Sequence, residues 1–465
     1  MLKTLITIKL LILFSVLVSA QEITGDWKGV LKAGETEIGF IFTIQESESG
    51  LEGSMAIPAR NLRNMKAGKT TFANGELLID GSNNGWQYKA TYNPSNQTFE
   101  GHFKEGVNML PLNLSKGTLL PEVKKKRPQE PKLPLPYLAE KVKFENKKAK
   151  IKLAGTLTLP KVSKPSPAVI LISGSGPQNR DEEIFGHKPF KVLADYLTRN
   201  GIAVLRYDDR GVNESEGNYA EATTADFATD VLAAVEFLKS RNDIDKNNIG
   251  LVGHSEGGII APIVAVEHPE DIAFIVSLAG TGVSGYEINR LQGLHQVRNL
   301  VPNLDQYNDF IKGALDIASK KGDLESIREE LSEYYLTSTF FNQSVPPAAD
   351  KAAILKSLVE QRTTVWARYF YNYNPADMYL KVKCPVLALF GEKDTQVFPE
   401  PNKSGLEKAL ENGKTESYEV LLLEGKNHLF QDAETGEMNE YNSIEETMSP
   451  QVLNLVSKWI QGQIK

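Results

Sequence analysis

Residues 249–267 read IGLVGHSEGGIIAPIVAVE and carry the strongest indication of the fold. The apolar beginning of this stretch, residues 249–252, is typical of a buried strand, and the small and apolar residues 257–267 are typical of a helix. Gly253-His254-Ser255-Glu256-Gly257 joins the two. Glycines two residues before and after a serine let strand and helix approach closely, while the serine Oγ projects from a strained turn. The pattern alone is weakly specific, but its place between strand and helix favours Ser255 as a nucleophile over an ordinary glycine-rich turn.

Strands and helices alternate on both sides of this stretch, from about residue 138 onward. The strand candidates are continuous apolar runs, which indicate a mostly parallel sheet covered by helices on both faces. Two earlier segments, 141–144 and 153–159, are typical of an antiparallel hairpin at the edge of such a sheet. Between about 283 and 380 the pattern is helical, so we predict an α/β domain over 138–465 with a helical insertion. The other strand candidates are 168–172, 202–206, 272–278, 386–390 and 418–423, and the other helix candidates are 189–200, 224–239 and 450–461.

The part of the chain before this domain has a different pattern. Residues 21–119 contain short apolar runs separated by turn clusters such as Ser82-Asn83-Asn84-Gly85, which predicts a small all-β barrel or sandwich. We interpret Trp27 as filling one end of its core. Residues 120–137 contain five prolines and the basic run Lys124-Lys125-Lys126-Arg127. That composition is typical of an extended linker with a solvated surface.

The first twenty residues differ from both domains. Lys3 and Lys9 precede an apolar run, residues 10–18, and the segment closes with Val18-Ser19-Ala20. A basic start, a short apolar run and a small-residue cleavage site are typical of a secretory signal peptide, here residues 1–20. We therefore expect export to the periplasm or the extracellular space, with no integral membrane span after cleavage. An uncleaved anchor is less favoured because a spanning helix needs about 20 apolar residues.

Composition excludes several classes of function. The net charge of −7 and the pI near 5.6 leave no basic surface for nucleic acid. Cys384 is the one cysteine, so an intrachain disulfide is impossible, and we interpret it as a buried structural residue. No cluster has the spacing of metal ligands, so we expect no metal and no cofactor. The sequence makes no prediction of oligomeric state.

A serine nucleophile needs a base, and six histidines are available. His428 follows the predicted strand 418–423 in the loop Glu424-Gly425-Lys426-Asn427-His428, which is where a base must lie if the strand order is the usual one. We expect His254, which precedes Ser255, to point away from the nucleophile. His428 is therefore the predicted base.

The base in turn needs an acid that orients its ring. Gly391-Glu392-Lys393-Asp394 follows the predicted strand 386–390, so two carboxylates compete for this role. Asp394 fits the loop position better, and Glu392 is the alternative. The resulting chain order of serine, aspartate and histidine is that of the fold implied by the turn at Ser255.

An oxyanion that forms during acyl transfer needs two backbone donors. The first predicted donor is the N–H of Glu256, directly after the nucleophile. The second comes from the small-residue loop Ser173-Gly174-Ser175-Gly176-Pro177, where Ser175 is the first choice and Gly176 the second. Such a loop can also bind phosphate, but it lacks the Gly-Lys-Ser/Thr of a P-loop.

With these residues assembled, residues 138–465 resemble the α/β-hydrolase superfamily, particularly exported bacterial esterases related to dienelactone hydrolases and prolyl-oligopeptidase-like hydrolases. Residues 173–177 stand where many relatives have His-Gly-Gly, and Tyr207-Asp208-Asp209-Arg210-Gly211 is similar to their D-x-R-G loop. The resemblance implies the α/β-hydrolase fold and a structural role for Arg210, which would bridge neighbouring loops. The missing His-Gly at 173 affects the expected oxyanion geometry and leaves the other site residues unchanged.

These residues predict a serine esterase that acts on small-molecule carboxylic esters through an acyl-enzyme. The alternatives are a dipeptidyl- or aminopeptidase of the same fold, a thioesterase, and a non-catalytic binding protein of the cell envelope. A peptidase would need a paired acidic site for a free amine. The helical insertion would form a lid whose aromatic residues either line the pocket or pack against one another. These are Tyr334, Tyr335, Phe340, Phe341, Trp366, Tyr369, Phe370, Tyr371 and Tyr373.

Overall fold

The computed structural model describes residues 23–33, 36–48, 50–57, 62–82, 85–105, 108–117, 127–345 and 351–464. The predicted signal peptide, residues 1–20, lies outside the described residues. By its internal contacts the chain divides into two compact units, residues 1–125 with 345–358 and residues 126–344 with 359–465. Within the described ranges, every helix is too short or too polar to cross a membrane.

The first unit contains an all-β domain. Its strands in the described residues are β1 (Gly25–Ala33), β2 (Thr36–Ser47), β3 (Gly50–Ile57), β4 (Leu62–Lys66), β5 (Lys69–Ala73), β6 (Glu76–Gly81), β7 (Trp86–Asn93), β8 (Thr98–Glu105), β9 (Asn108–Pro111) and β10 (Leu114–Lys116). They form one antiparallel sheet in the order β4-β3-β2-β1-β10-β8-β7-β6-β5, and β9 pairs with β8. β3, next to one end of the sheet, meets the end strand β5 at Gly53, where a Cβ atom would lie 2.6 Å from Thr70 Oγ1.

The core of this domain is aromatic. Trp27 is fully buried, and its indole Nε1 donates to the Ile23 carbonyl at 2.7 Å. Its ring meets Phe99 edge-on with 4.5 Å between centroids. Trp27 therefore belongs to the core, in agreement with the sequence interpretation.

The second unit is built on a mixed sheet. Its strands are β11 (Leu138–Asn146), β12 (Ile151–Leu159), β13 (Ser166–Ile172), β14 (Ala203–Tyr207), β15 (Ile244–His254), β16 (Phe274–Leu278), β17 (Val386–Gly391) and β18 (Tyr418–Leu423). Their order is β11-β12-β14-β13-β15-β16-β17-β18. The pairs β11–β12 and β12–β14 are antiparallel and the others are parallel, so the predicted edge hairpin and parallel sheet are both present. β15 begins at Ile244, earlier than predicted, because Ile244 pairs with Ser166 beyond an irregularity in the ladder.

Helices cover both faces of this sheet. Alternate residues of β13 enter different cores: Val169 and Leu171 pack in one cluster, and Ile170 and Ile172 in the other. This two-residue period is that of a strand buried on both sides. The helices in the described residues are α1 (Pro189–Arg199), α2 (Thr224–Lys239), α3 (Gly257–Glu267), α4 (Gly285–Val297), α5 (Leu304–Ala318), α6 (Leu324–Thr337), α7 (Thr339–Ser344), α8 (Lys351–Arg362), α9 (Val365–Asn372), α10 (Ala376–Tyr379), α11 (Pro399–Glu411), α12 (Met438–Tyr441) and α13 (Pro450–Gln463).

In the described residues the chain between β16 and β17 is mainly helical, as predicted for residues 283–380. Four of its aromatic residues form one packed group. Tyr334, Tyr335, Phe340 and Phe341 contact one another or Phe310. These four residues therefore pack inside the segment.

Candidate active site

Ser255 lies on the turn between β15 and α3. Its φ of +51° is in the left-handed region, which is costly for a residue with a side chain. The turn is possible because its glycines allow close contact. A Cβ at Gly253 would lie 2.0 Å from the Gly257 carbonyl oxygen, and one at Gly257 would lie 2.1 Å from that of Ile172. The Ser255 N–H donates to the Leu278 carbonyl at 2.8 Å, which ties the turn to β16.

The structure brings His428 and Asp394 together from the loops after β18 and β17. His428 Nδ1 lies 2.7 Å from Asp394 Oδ2, and both side chains are buried. The other carboxylate oxygen, Oδ1, accepts the backbone N–H groups of Gln396 and Val397, both at 2.8 Å. Since a carboxylate accepts, His428 Nδ1 carries a proton, and in this tautomer of the neutral ring Nε2 has the lone pair that a general base needs.

The competing carboxylate has a different partner. Glu392 Oε2 accepts the N–H of Gly425 at 2.9 Å. Glu392 therefore braces the loop that carries His428, and Asp394 is the carboxylate that contacts the ring.

A cavity of about 270 Å³ has Ser255 and His428 on its wall. Part of this wall comes from the segments after β13, β15, β17 and β18, which we call the strand-end loops. Another part comes from α4 and α9, which we call the helical wall and which consists of Ile288, Asn289, Gln292, Trp366 and Phe370. In the described part of the chain Ser255 Oγ has no hydrogen bond to His428. Such bonds are often long before substrate binds.

The two predicted oxyanion donors lie in the strand-end loops, and both Ser175 and Glu256 line the cavity. Gly176, the second choice, donates its N–H to Tyr219 Oη at 2.8 Å and is therefore engaged. Among the described residues, no acceptor is bonded to the backbone N–H of Ser175 or of Glu256. These two amides are thus available to a ligand in the cavity.

The loop at 173–178 is held by a half-buried carboxyl. Asp209 accepts from Ser173 Oγ at 2.7 Å and from the Gln178 N–H at 2.9 Å. Burial raises the pKa of Asp209 to about 8, although both hydrogen bonds oppose the rise. The next residue, Arg210, binds Asp230 of α2 through Nε at 2.7 Å and Nη2 at 2.9 Å. The loop after β14 therefore braces the site without entering it.

His254 has contacts that the sequence did not predict. It lines the cavity, and its ring lies beside that of His428, with 4.7 Å between centroids. Nδ1 is 2.9 Å from Glu182 Oε1, and Nε2 is 2.9 Å from the His428 carbonyl oxygen. Glu182 Oε1 also accepts the N–H of Gly174 at 2.8 Å. Sequence reasoning missed Glu182, which lies 72 residues before His254 and belongs to no motif.

The carboxyl next to the nucleophile is also engaged. Glu256 Oε1 accepts from Thr224 Oγ1 at 2.6 Å and from Trp366 Nε1 at 2.8 Å. Burial raises the pKa of the Glu256 carboxyl, and hydrogen bonds from Thr224, Trp366 and Ser175 oppose the rise. Trp366 stacks on Phe370 with 4.8 Å between centroids. Two of the predicted lid aromatics therefore line the cavity.

Thiol and metal chemistry have little basis here. Burial raises the pKa of the Cys384 thiol to about 12, so it is not a ready nucleophile. Within the described ranges, no group of three or more histidine, cysteine, aspartate or glutamate side chains could hold a metal ion.

Comparison with known proteins gives three kinds of match. The model of the family described as X-Pro dipeptidyl-peptidase (S15 family) matches residues 127–424, more than half of the chain. Esterase EstD of Thermotoga maritima is 27% identical over 299 residues, which are 63% of this chain and 62% of that protein. An acyl transferase of Photorhabdus luminescens is 30% identical over 154 residues, 33% of this chain and 47% of its own length. The matches thus span less than two thirds of either relative. Esterase Pf2001 of Pyrococcus furiosus, a solved structure, aligns with a TM-score of 0.43 and 16% identity over 71% of this chain and 91% of that one.

Proposed function

Since the chain belongs to the α/β-hydrolases, in the X-Pro dipeptidyl-peptidase (S15) family, we propose that it is a serine hydrolase that cleaves carboxylic esters through Ser255, His428 and Asp394. One observation carries the proposal. Ser255 stands on a left-handed turn in the same cavity wall as His428, whose Nδ1 is bonded to Asp394 at 2.7 Å.

The mechanism follows from the protonation of His428. With its proton on Nδ1, the ring accepts the Ser255 proton at Nε2 while Oγ attacks the acyl carbonyl carbon. The carbonyl oxygen becomes an oxyanion and accepts from the N–H groups of Ser175 and Glu256. His428 then gives its Nε2 proton to the leaving oxygen as the C–O bond breaks. Water, deprotonated by the same ring, releases the acyl group from Ser255.

Esters are favoured over peptides with a free amino terminus. A peptidase of that kind needs a carboxylate that is free to bind an ammonium group. Glu182 and Glu256 both line the cavity, but Glu182 holds His254 and Gly174, and Glu256 holds Thr224 and Trp366. The second oxygen of each carboxyl has no hydrogen-bond partner among the described residues, but it is buried and so is not open to a ligand in the cavity. The likeness to an esterase and to an acyl transferase also supports acyl transfer to serine.

The helical wall suggests the kind of ester. Trp366, Phe370 and Ile288 offer apolar surface to an acyl or alcohol group. Arg362 Nη1 donates to Asn289 Oδ1 at 3.0 Å, so the Asn289 amide keeps its N–H donors for other partners. No lysine or arginine is among the described residues that line this cavity. A neutral, partly apolar ester fits this wall, and the segment 283–380 would act as its lid.

The site of action is part of the same proposal. Residues 1–20 have the composition of a signal peptide, so the mature enzyme would work in the periplasm or outside the cell. Cleavage after Ala20 is tested by the amino-terminal sequence of the exported protein. An intact Met1 on membrane-bound protein would favour the anchor instead.

The decisive experiment compares substrates and variants on the purified mature protein. We expect p-nitrophenyl esters of graded chain length to be hydrolysed, with little turnover of aminoacyl anilides or of matched thioesters. Ser255→Ala should lose both turnover and labelling by a fluorophosphonate, whereas Ser443→Ala, an exposed serine outside the cavity, should keep both. Anilide turnover without ester turnover would favour the peptidase. A wild-type protein that neither turns over nor reacts with the probe would favour a binding protein.

A further inference from the structure

His254 and Glu182 form a buried pair that the mechanism above does not use. His254 is 7% exposed and Glu182 is 4% exposed. The backbone carbonyl of His428 can only accept, so His254 Nε2, at 2.9 Å from it, carries a proton. The Glu182 carboxylate at 2.9 Å from Nδ1 requires a second proton on the same ring. Both contacts together describe an imidazolium paired with a carboxylate.

The surroundings of His254 agree with this protonation. Burial alone lowers the pKa of His254, but the Glu182 charge, its hydrogen bond, the His428 carbonyl and the Asp394 charge raise it above the ordinary value. The groups that face the ring are Glu182 before α1, Asp394 after β17 and His428 after β18. Gly174, in the same segment between β13 and α1 as Glu182, is uncharged.

We propose that Glu182 and His254 are positioning residues. They connect the loop at 173–178, which carries the oxyanion donor Ser175, to the loop that carries His428, and they do so only while His254 is doubly protonated. The inference rests on the proposed ester hydrolysis. One chain of contacts runs from the Gly174 N–H through Glu182 Oε1 and the His254 ring to the His428 carbonyl.

Each end of this series of contacts positions one group that the reaction needs. By holding Gly174, Glu182 sets the backbone from which the neighbouring Ser175 N–H meets the oxyanion. By holding the His428 carbonyl, His254 sets the backbone that carries the base. A misplacement of about 1 Å between such groups costs about a hundredfold in rate.

The protonation requirement gives the pair a pH dependence. As pH rises through the raised pKa of His254, the ring loses one proton and therefore one of its two donor contacts. The contribution of the pair to activity and to stability is present at lower pH and is lost on the alkaline side. Glu182→Gln keeps the shape and an acceptor oxygen but removes the charge, so the alkaline loss should begin at lower pH.

The test combines ¹⁵N NMR of the histidine rings with pH profiles of kcat. In the wild type, both His254 nitrogens should carry protons at pH 7, and in Glu182→Gln one should not. We expect kcat of Glu182→Gln to fall by roughly ten- to a hundredfold at pH 8, with KM little changed and with recovery toward lower pH. Glu182→Asp, which restores the charge, should recover part of the alkaline activity. A neutral His254 ring in the wild type, or an unchanged alkaline limb in Glu182→Gln, would overturn the proposal.

A second pair in the chain provides the control. His295 Nε2 lies 2.9 Å from Glu437 Oε1, and neither residue lines the cavity. Glu437→Gln should leave the pH profile of kcat unchanged. The NMR reading does not depend on turnover, so it tests the pair even if the esterase proposal fails. Thermal unfolding of each variant separates loss of positioning from loss of the fold.

Discussion

The strand-end loops and the helical wall enclose the same cavity but are organised differently. In the strand-end loops the polar groups bind backbone: Asp394 holds two amides, and Glu182 holds the Gly174 amide. In the helical wall most contacts are between side chains, such as Trp366 with Phe370 and Asn289 with Arg362, although Gln292 Nε2 donates to the Gln396 carbonyl at 2.9 Å. Backbone-anchored groups have one position, which chemistry requires. Apolar side chains that line a pocket set its shape and size, which suits a role in choosing substrates.

Among changes in the strand-end loops, removing the nucleophile should lower kcat the most. Ser255→Ala should lower kcat for a short p-nitrophenyl ester by on the order of 10⁵-fold or more, since a serine-based triad acts as a unit. KM should change little, because the cavity wall is intact. Steady-state kinetics checks this, with Ser443→Ala as the control. Activity within tenfold of the wild type would place the nucleophile elsewhere.

Changing the carboxylate that contacts His428 should have the second-largest effect on kcat. Asp394→Asn should reduce kcat by about 10⁴-fold, because an amide no longer fixes the proton on His428 Nδ1. Glu392→Gln keeps a group that can accept the Gly425 N–H and should retain most activity. The two variants measured side by side distinguish the carboxylates. If Glu392→Gln were the weaker enzyme, the assignment of the acid would be reversed.

On the helical wall the expected effects are smaller and depend on the substrate. Phe370→Ala should lower kcat/KM for a long-chain ester by about tenfold relative to acetate, because lost apolar contact in a pocket amounts to about 1–3 kcal/mol. Phe340→Ala removes an aromatic ring from the internal packing of the same segment, where it contacts Tyr307 and Phe310. This control should lower the melting temperature without changing the chain-length ratio. A changed chain-length ratio in Phe340→Ala would mean that the internal packing of the segment also affects substrate choice.

The same contrast explains what the sequence could predict. Ser255, Asp394 and His428 each follow a strand whose apolar run is visible in the sequence, so their place at one edge of the sheet follows from the parallel order. Glu182 and the orientation of His254 depend on contacts between distant loops, which no local pattern encodes. Trp366 and Phe370 are close in sequence to Tyr369 and Tyr371, and only the packing of α9 decides which rings reach the cavity. The partners of His254, Glu182 and the His428 carbonyl, could not be predicted for the same reason.

The smallest expected effect concerns the Asn289 amide. Arg362 can only donate, so the Asn289 oxygen faces it and the amide nitrogen is left for a substrate acceptor. Asn289→Leu should therefore reduce the preference for an N-acetylglycyl p-nitrophenyl ester over the pentanoyl ester of equal chain length. A single hydrogen bond is worth about 0.5–1.5 kcal/mol, so the ratio should change by roughly two- to tenfold.

The matched control for this variant is Asn308→Leu. Asn308 Oδ1 accepts from Arg290 Nη1 at 2.6 Å, in a similar pair that does not line the cavity. Comparing ratios between variants cancels the intrinsic reactivity of the two esters, because both enzymes meet the same substrates. An unchanged ratio in Asn289→Leu would restrict the helical wall to apolar selection, with Phe370 and Trp366 as its determinants. A changed ratio would instead assign polar recognition to α4, the helix that carries Asn289, and apolar recognition to α9.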